Sequence, residues 1–120
     1  MKYSESLKKS RDFKTVYSEG RSKANRYLVM YVRKNDLGIN RIGISVSKKI
    51  GNSVVRHRFC RLVREGYRHL EEYFHIGYDC VFVARVNAKD CACRDIEGAI
   101  YHLAKKHDIL RKSEDEICID

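Results

Sequence analysis

Basic side chains recur at helical spacing between positions 48 and 68, and they are the residues best suited to binding a charged ligand. At about 100° per residue, most of them fall on one side of a helix, and Glu65 is the only acid among them. A guanidinium presents a planar set of donors that matches phosphate oxygens and stays charged at neutral pH. The pattern predicts a surface for a polyanion, with nucleic acid as the first candidate and an ordinary solvated helix face as the alternative. The basic set comprises Lys48, Lys49, Arg56, His57, Arg58, Arg61, Arg64 and Arg68.

The opposite side of the same helix is apolar and is expected to pack into a core. Asn52 or Ser53 is expected to cap the first turn, and the helix should end at about Glu71 or Glu72. The apolar face carries Val55, Phe59, Leu62, Val63, Gly66 and Leu70.

Aromatic residues form a second pattern in the first third of the chain. Phe13 and Tyr17 lie one turn apart on a predicted first helix, and Tyr27 and Tyr31 share a face of the following strand by period-two alternation. Such rings either fill a core or line a groove that stacks unpaired bases. Nearby polar residues that could accompany them in a groove are Arg26 and Arg33, with Ser45 and Ser47 pointing outward from the next strand.

The elements that must position these residues alternate between helix and strand. A first helix begins at the cap Ser10 and stops at Gly20, and a last helix is capped by Asp90. Strands are predicted over residues 26–34, 41–47 and 78–86, the first two as an antiparallel hairpin. The last helix carries an apolar face of Ile96, Ile100, Leu103 and Ala104. We predict one α+β domain over residues 1–120, a single small sheet with helices packed on it, and a disordered acidic tail at 113–120.

Charge is distributed unevenly along the chain. Residues 1–40 hold ten Lys/Arg against four Asp/Glu, and residues 41–68 hold eight against one. Residues 69–120 are acidic overall, with seven against eleven, although the whole chain has a net charge of +9. This asymmetry favours a polyanion-binding face over general solubilising charge.

Several functional classes are disfavoured by the sequence. No segment is apolar enough to span a bilayer or to act as a secretion signal, and five cysteines without such a signal predict free thiols in the cytoplasm. Cys91 and Cys93 form a CxC pair without other converging ligands, and Cys80 alternates with Phe82 as a core residue. The five histidines show no metal-ligand spacing, so we predict neither a catalytic residue nor a metal site on the protein.

The stretch RIGISVSKKIGNSVVRHRFCRLVREGYR, Arg41 to Arg68, resembles the signature of the bacterial ribonuclease P protein subunit. LKKSRDFKTVYSEGRS and YLVMYVRKN are similar to the opening helix and first strand of that family, so the likeness covers nearly the whole chain. The resemblance implies an αβββαβα fold with a left-handed βαβ crossover around the arginine helix. Two positions depart from the family pattern: His57 stands where asparagine is expected, and Cys60 where lysine is expected.

The resemblance also implies a mechanism. The holoenzyme removes the 5′ leader of precursor tRNA, and its RNA subunit holds the catalytic centre and most of the Mg²⁺. One protein per RNA is expected. The basic set defined above would contact that RNA, and the leader would lie against Phe13, Tyr17, Arg26, Tyr31, Ser45 and Ser47.

Two alternatives from other classes remain open on sequence grounds. One is a plain RNA-binding or ribosomal protein that uses the same sheet and basic helix. The other is a nuclease that is catalytic without RNA, although the chain lacks a convincing acid/base set.

Overall fold

Five strands form one mixed sheet in the computed structural model, which describes residues 4–111. The strands are β1 (Ser4–Ser6), β2 (Arg21–Ala24), β3 (Leu28–Lys34), β4 (Asn40–Ser45) and β5 (Tyr78–Ala84). The α-helices are α1 (Ser10–Glu19), α2 (Ser53–Leu70) and α3 (Cys93–Lys106), with short 3₁₀ turns at Glu71–Tyr73 and Val86–Ala88. The predicted α+β class is confirmed. The predicted tail at 113–120 lies outside the described residues.

The predicted hairpin of strands 26–34 and 41–47, which correspond to β3 and β4, is wrong. The strand order is β1-β4-β5-β3-β2, so β5 lies between β3 and β4, antiparallel to the former and parallel to the latter. Cys80, Val81 and Phe82 of β5 are all buried, so this strand needs cover on both faces and both edges, which only the middle of the sheet provides. The parallel β4–α2–β5 unit is the βαβ crossover that the family resemblance implies to be left-handed.

Helices cover the two faces of the sheet unequally. On one face, α2 and α3 bury Phe59, Val63 and Tyr67 against the even-numbered side chains of β3. On the other face, α1 buries Val16 against Val81. The predicted apolar face of α3 is buried throughout, whereas Val55 of α2 is only half-buried. Each face of the sheet therefore has its own core.

Helix starts were predicted with mixed success. Asn52 caps α2 as expected, because its Oδ1 accepts a hydrogen bond from the Val55 amide at 3.0 Å. The expectation that Asp90 caps the last helix is wrong. That helix starts at Cys93, and Asp95 supplies the capping carboxylate, with Oδ2 2.8 Å from the Ala92 amide. The first helix begins at Ser10, with Lys9 rather than Ser10 in the cap position.

A buried carboxylate joins three elements beneath α1. Asp79 of β5 is fully buried and accepts two hydrogen bonds from Arg41, each at 2.7 Å, and a third from Asn35 at 2.8 Å. Arg33 approaches the same carboxylate at 3.5 Å. Burial by itself raises the pKa of Asp79, but the hydrogen bonds from Arg41 and Asn35 outweigh it and hold the pKa below its usual range. The pair stays ionised throughout the physiological range.

His107, just after α3, is a second buried ionisable group. Its Nε2 donates to the Met30 carbonyl at 2.8 Å, and its Nδ1 is buried without a partner among residues 4–111. Burial lowers the pKa of His107, with Arg21 and Lys23 adding to the effect and the Met30 hydrogen bond opposing it. The folded protein therefore favours neutral His107.

Because the pKa of His107 is depressed by folding, the unfolded chain binds the proton more tightly. The contribution of His107 to the free energy of unfolding is at its maximum above the pKa of the unfolded chain, about 6.5. It is lost as the pH falls through the lower pKa of the folded state. We expect the free energy of unfolding, measured in urea, to fall between about pH 7.5 and 5.5, and to fall less in His107→Gln. Exposed His75→Gln is the matched control and should keep the wild-type slope. An unchanged slope in His107→Gln would contradict the assignment.

Candidate nucleic-acid interface

The approach to α2 is a tight turn that holds two lysines in solvent. The Ile50 amide bonds to the Ser47 carbonyl at 3.1 Å, and the Lys49 amide lies 3.3 Å from Ser47 Oγ. Ile50 is buried and anchors the turn, whereas Lys48 and Lys49 are exposed. Both predicted lysines therefore stand next to the positive end of the α2 dipole, where anions bind favourably.

The outer face of α2 presents basic side chains that have no ion-pair partner among residues 4–111. His57, Arg61 and Arg64 are exposed, and Arg61 and Arg64 form no ion pair within residues 4–111. The Arg56 side chain is half-buried, and its Nε–H is buried with no acceptor in that range. A buried donor without an acceptor costs free energy, which an incoming phosphate oxygen would recover.

Two arginines of the predicted basic set are already engaged. Arg58 Nη2 donates to the Cys91 carbonyl at 2.8 Å and thereby ties α2 to the segment before α3. Arg68 pairs with Glu65 one turn earlier at 2.5 Å, and this hydrogen bond lowers the pKa of Glu65. Among residues 4–111, the unpaired positive charge of α2 therefore lies between Arg56 and Arg64, with Arg61 between them.

Three predicted aromatic residues come together on the opposite face of the sheet. The rings of Tyr17 and Tyr31 meet edge to face with centroids 4.9 Å apart, and Phe13 lies 6.3 Å from Tyr17. Tyr17 keeps 38% of its surface exposed although it belongs to this cluster. Phe13 and Tyr31 pack on the small core of Leu7, Val16 and Val81. We name Phe13, Tyr17 and Tyr31 the aromatic cluster.

An open strip of sheet borders the aromatic cluster. By strand register, Ser45 of β4, Val83 of β5, Val29 of β3 and Ala24 of β2 lie in one row across the sheet. The preceding row contains Gly43, Val81 and Tyr31, against which α1 packs. Members of the open row are half-buried or exposed, so the strip and the aromatic cluster together form a groove.

A narrow cleft connects this groove with the basic face of α2. It has a volume of about 160 Å³, and its lining includes Phe13 from α1, Ile44 from β4, and Cys60 and Arg64 from α2. β1 pairs with Asn40–Ile42, and no strand within residues 4–111 pairs with the rest of this edge of β4. Ser47 lies in the turn beyond β4 and not in the strand as predicted.

Arg26, which is predicted for the groove, and Tyr27, which the sequence leaves open between core and groove, both lie elsewhere. β3 begins at Leu28, so period-two alternation does not extend back to Tyr27, which packs against the core on the α2–α3 side. Arg26 accompanies it, with its guanidinium carbon 5.6 Å from the Tyr27 ring centroid and α3 residues nearby. The placement of Arg26 in the groove was therefore wrong, because the extended pattern was carried two residues too far.

Groove residues that the sequence prediction missed are mostly small or apolar. Val29 and Val83 line the open strip, and Gly43 lies directly beneath Phe13. Alternation within β5, where Cys80 and Phe82 are core residues, would have assigned Val81 and Val83 to the other face. In residues 4–111, no group of three or more His, Cys, Asp or Glu is placed to hold a metal ion. No helix in that range is long and apolar enough to cross a membrane.

The fold and the charge define a class: a small α+β protein with a basic helix on one side of its sheet and an aromatic cluster on the other. A family model described as Ribonuclease P matches residues 1–108. The ribonuclease P protein component of Lachnoclostridium phytofermentans is 57% identical over 111 residues, covering 92% of this chain and 96% of that protein. The component from Clostridioides difficile is 49% identical over 104 residues, covering 86% and 91%.

Solved structures agree with the sequence relatives. The RNase P protein of Staphylococcus aureus superposes with a TM-score of 0.78 at 35% identity, covering 88% of this chain and 97% of that one. The RNase P protein of Thermotoga maritima gives 0.78 at 30% identity, covering 83% and 94%. This chain belongs to the ribonuclease P protein family, whose members are the protein components of an endoribonuclease ribonucleoprotein.

Gly43 is the residue that lets Phe13 sit on the sheet. A Cβ at this position would lie 2.8 Å from two ring carbons of Phe13, closer than carbon atoms tolerate. We expect Gly43→Ala to lower the free energy of unfolding by about 1–3 kcal/mol through overpacking. Phe13→Ala in the same chain removes the clash. The loss of unfolding free energy in the double variant, measured in urea, should therefore be about 1 kcal/mol smaller than the sum of the losses in the two single variants. Strict additivity would show that the two residues do not meet.

Proposed function

We propose that this protein binds the catalytic RNA of ribonuclease P through α2 and its approach, and the 5′ leader of precursor tRNA through the sheet groove. The observation that carries the proposal is the pair of surfaces on opposite faces of one sheet, joined by the cleft at Phe13 and Arg64. One surface supplies fixed positive charge for a folded RNA, and the other supplies rings and backbone edges for an unpaired strand.

The basic face suits an RNA with a defined shape. The basic side chains are carried by a rigid helix and its anchored turn, so their spacing is set before the RNA arrives. They are Lys48, Lys49, Arg56, Arg61 and Arg64. Each phosphate contact releases counterions and makes affinity depend on salt. His57 lies exposed on the same face and would offer its ring nitrogens to the RNA as hydrogen-bonding groups.

The groove suits the leader because its chemistry is indifferent to base identity. Tyr17 is exposed at its rim and offers a ring for stacking, and Ser45 offers a hydroxyl beside Val83. Stacking on an aromatic ring contributes about 1–3 kcal/mol per base. The leader therefore gains affinity without demanding one sequence.

The protein's part in the reaction is binding and orientation. Mg²⁺ supplied within the RNA subunit would activate water at the scissile phosphodiester, and the protein's cations lower the repulsion between the two RNAs that must meet there. We further propose one protein per catalytic RNA, a single RNA-binding domain over residues 1–120, and a cytoplasmic location.

Removing charge from the basic face gives the first test of this proposal. Arg61→Ala with Arg64→Ala should weaken binding to the RNA subunit and lower the slope of log affinity against log salt by about 1.5–2 units, measured by filter binding between about 50 and 200 mM salt. Lys34→Ala with Lys106→Ala removes the same charge from exposed positions elsewhere and is the control. An equal loss of affinity in both double variants would mean that only the net charge of the protein matters, which would contradict the assigned binding face.

An aromatic pair of similar exposure tests the groove. Tyr17 and Tyr73 are 38% and 42% exposed, but only Tyr17 belongs to the aromatic cluster. Tyr17→Ala should lower holoenzyme affinity for leader-bearing precursor by about tenfold, the worth of one stacked base, and leave affinity for mature tRNA unchanged. Tyr73→Ala should change neither. A similar loss for precursor and mature tRNA would assign Tyr17 to structure alone.

One solved relative gives a specific reason to include the protein by itself in such assays. A Staphylococcus aureus variant with a TM-score of 0.80 to this chain is described as defective in mRNA degradation activity. Cleavage of RNA by this protein alone is therefore the second candidate function. Its test is incubation of a single-stranded RNA with the purified protein, where cleavage that survives chelation would require acid/base residues of the chain.

A further inference from the structure

A cleft of about 380 Å³ lies on the α2–α3 side of the sheet, between the chain turn at 25–28 and α3. Its lining includes Arg26 and Tyr27 from the turn and Arg94, Gly98 and His102 from α3. The cleft is shallow and open to solvent, so it suits a group that lies along the protein surface. The cleft is separate from the aromatic cluster, which occupies the other face of the sheet.

Hydrogen bonds hold the frame of this cleft rigid. Asn25 Oδ1 accepts the amides of Tyr27 and Leu28 at 3.2 and 3.1 Å, and Asn25 Nδ2 donates to the Ala99 carbonyl at 3.1 Å. Arg85 closes the turn from β5, with Nη1 2.9 Å from the Asn25 carbonyl. A ligand therefore meets a preformed site and loses little free energy in ordering it.

The cations of this cleft lack acidic partners. Arg26 and Arg94 form no ion pair within residues 4–111. Asp95, the only acid in the lining, already accepts the Ala92 amide with its Oδ2. Arg94 also lies in the first turn of α3, where the helix dipole favours an anion.

His102 adds a donor of fixed direction. The Asn25 amide nitrogen can only donate, and it lies 3.3 Å from His102 Nδ1. Because Nδ1 accepts this bond, neutral His102 carries its hydrogen on Nε2, which is left to meet a ligand. Arg26, Arg94 and His102 thus supply donors around one space whose wall includes the Tyr27 ring.

We propose that this cleft is a second RNA-binding site, which takes one unpaired nucleotide with its phosphate on Arg94 and His102 and its base stacked on the Arg26 guanidinium, which lies over the Tyr27 ring. Cationic donors match a phosphate and a flat guanidinium backed by a ring matches a base, whereas an acidic peptide would not use the stacking surface. The segment before α3 is tied to α2 through Arg58, which donates to the Cys91 carbonyl three residues before Arg94. The proposal rests on the proposed function only in taking RNA as the natural ligand.

The test follows the cleft directly in the isotope-labelled full chain by NMR, with uridine monophosphate as the probe. We expect saturable shifts at the Gly98 amide and the His102 ring. Arg94→Ala should weaken this response about tenfold, as expected for one charge-assisted hydrogen bond, and exposed Lys34→Ala should leave it unchanged. Gly98→Leu keeps every charge but fills the floor, where an added Cβ meets nothing within 4 Å, and should abolish the response.

Each other outcome overturns a stated part of the proposal. Shifts that persist in both Arg94→Ala and Gly98→Leu would place the probe elsewhere. Equal shifts with inorganic phosphate as the probe would show that the site does not recognise the base. If uridine monophosphate causes no shifts at Gly98 and His102 while the RNA subunit still binds with the expected salt dependence, this second site is rejected and the proposed function stands. Loss of discrimination between the Arg61/Arg64 and Lys34/Lys106 double variants would instead reject the proposed function.

Discussion

The buried Asp79 carboxylate is the interaction on which the arrangement of this protein depends. It holds Arg41 by two hydrogen bonds and attracts Arg33, and each arginine reaches on to α1, Arg41 to Asp12 at 3.5 Å and Arg33 to Glu19 at 3.0 Å. Removing one partner from a buried ion pair typically costs about 3–5 kcal/mol. The helix that carries two members of the aromatic cluster is therefore oriented by a charge in the middle strand of the sheet.

Placing β5 in the middle of the sheet separates two surfaces with different chemistry. The crossover through α2 covers one face and leaves arginines on the outer side of that helix, while the other face keeps an open row beside α1. In the proposed function, fixed charge would hold a folded RNA, and rings and sheet would hold an unpaired strand. Both surfaces meet at the cleft between Phe13 and Arg64, so two RNAs could be brought together on one small protein.

The sequence predicted local patterns better than long-range pairing. The α2 cap at Asn52 and the meeting of Phe13, Tyr17 and Tyr31 are confirmed, because helical spacing and capping chemistry act over a few residues. The hairpin prediction failed because short connections favour neighbouring strands, while the burial of β5 on both faces outweighed that preference. Arg26 was misplaced since alternation ends where the strand begins, at Leu28. No local pattern marked Asp79 as the centre of the charge network.

The most direct measurement is 5′ cleavage of a precursor tRNA at low magnesium by the RNA subunit alone, the protein alone and the two together. The account predicts slow cleavage by the RNA, none by the protein, and efficient cleavage only when both are present, since the protein supplies binding and charge compensation but no catalytic group. Tight binding of the protein without any enhancement would contradict its role as a cofactor. Leader removal by the protein alone would contradict the assignment of catalysis to the RNA.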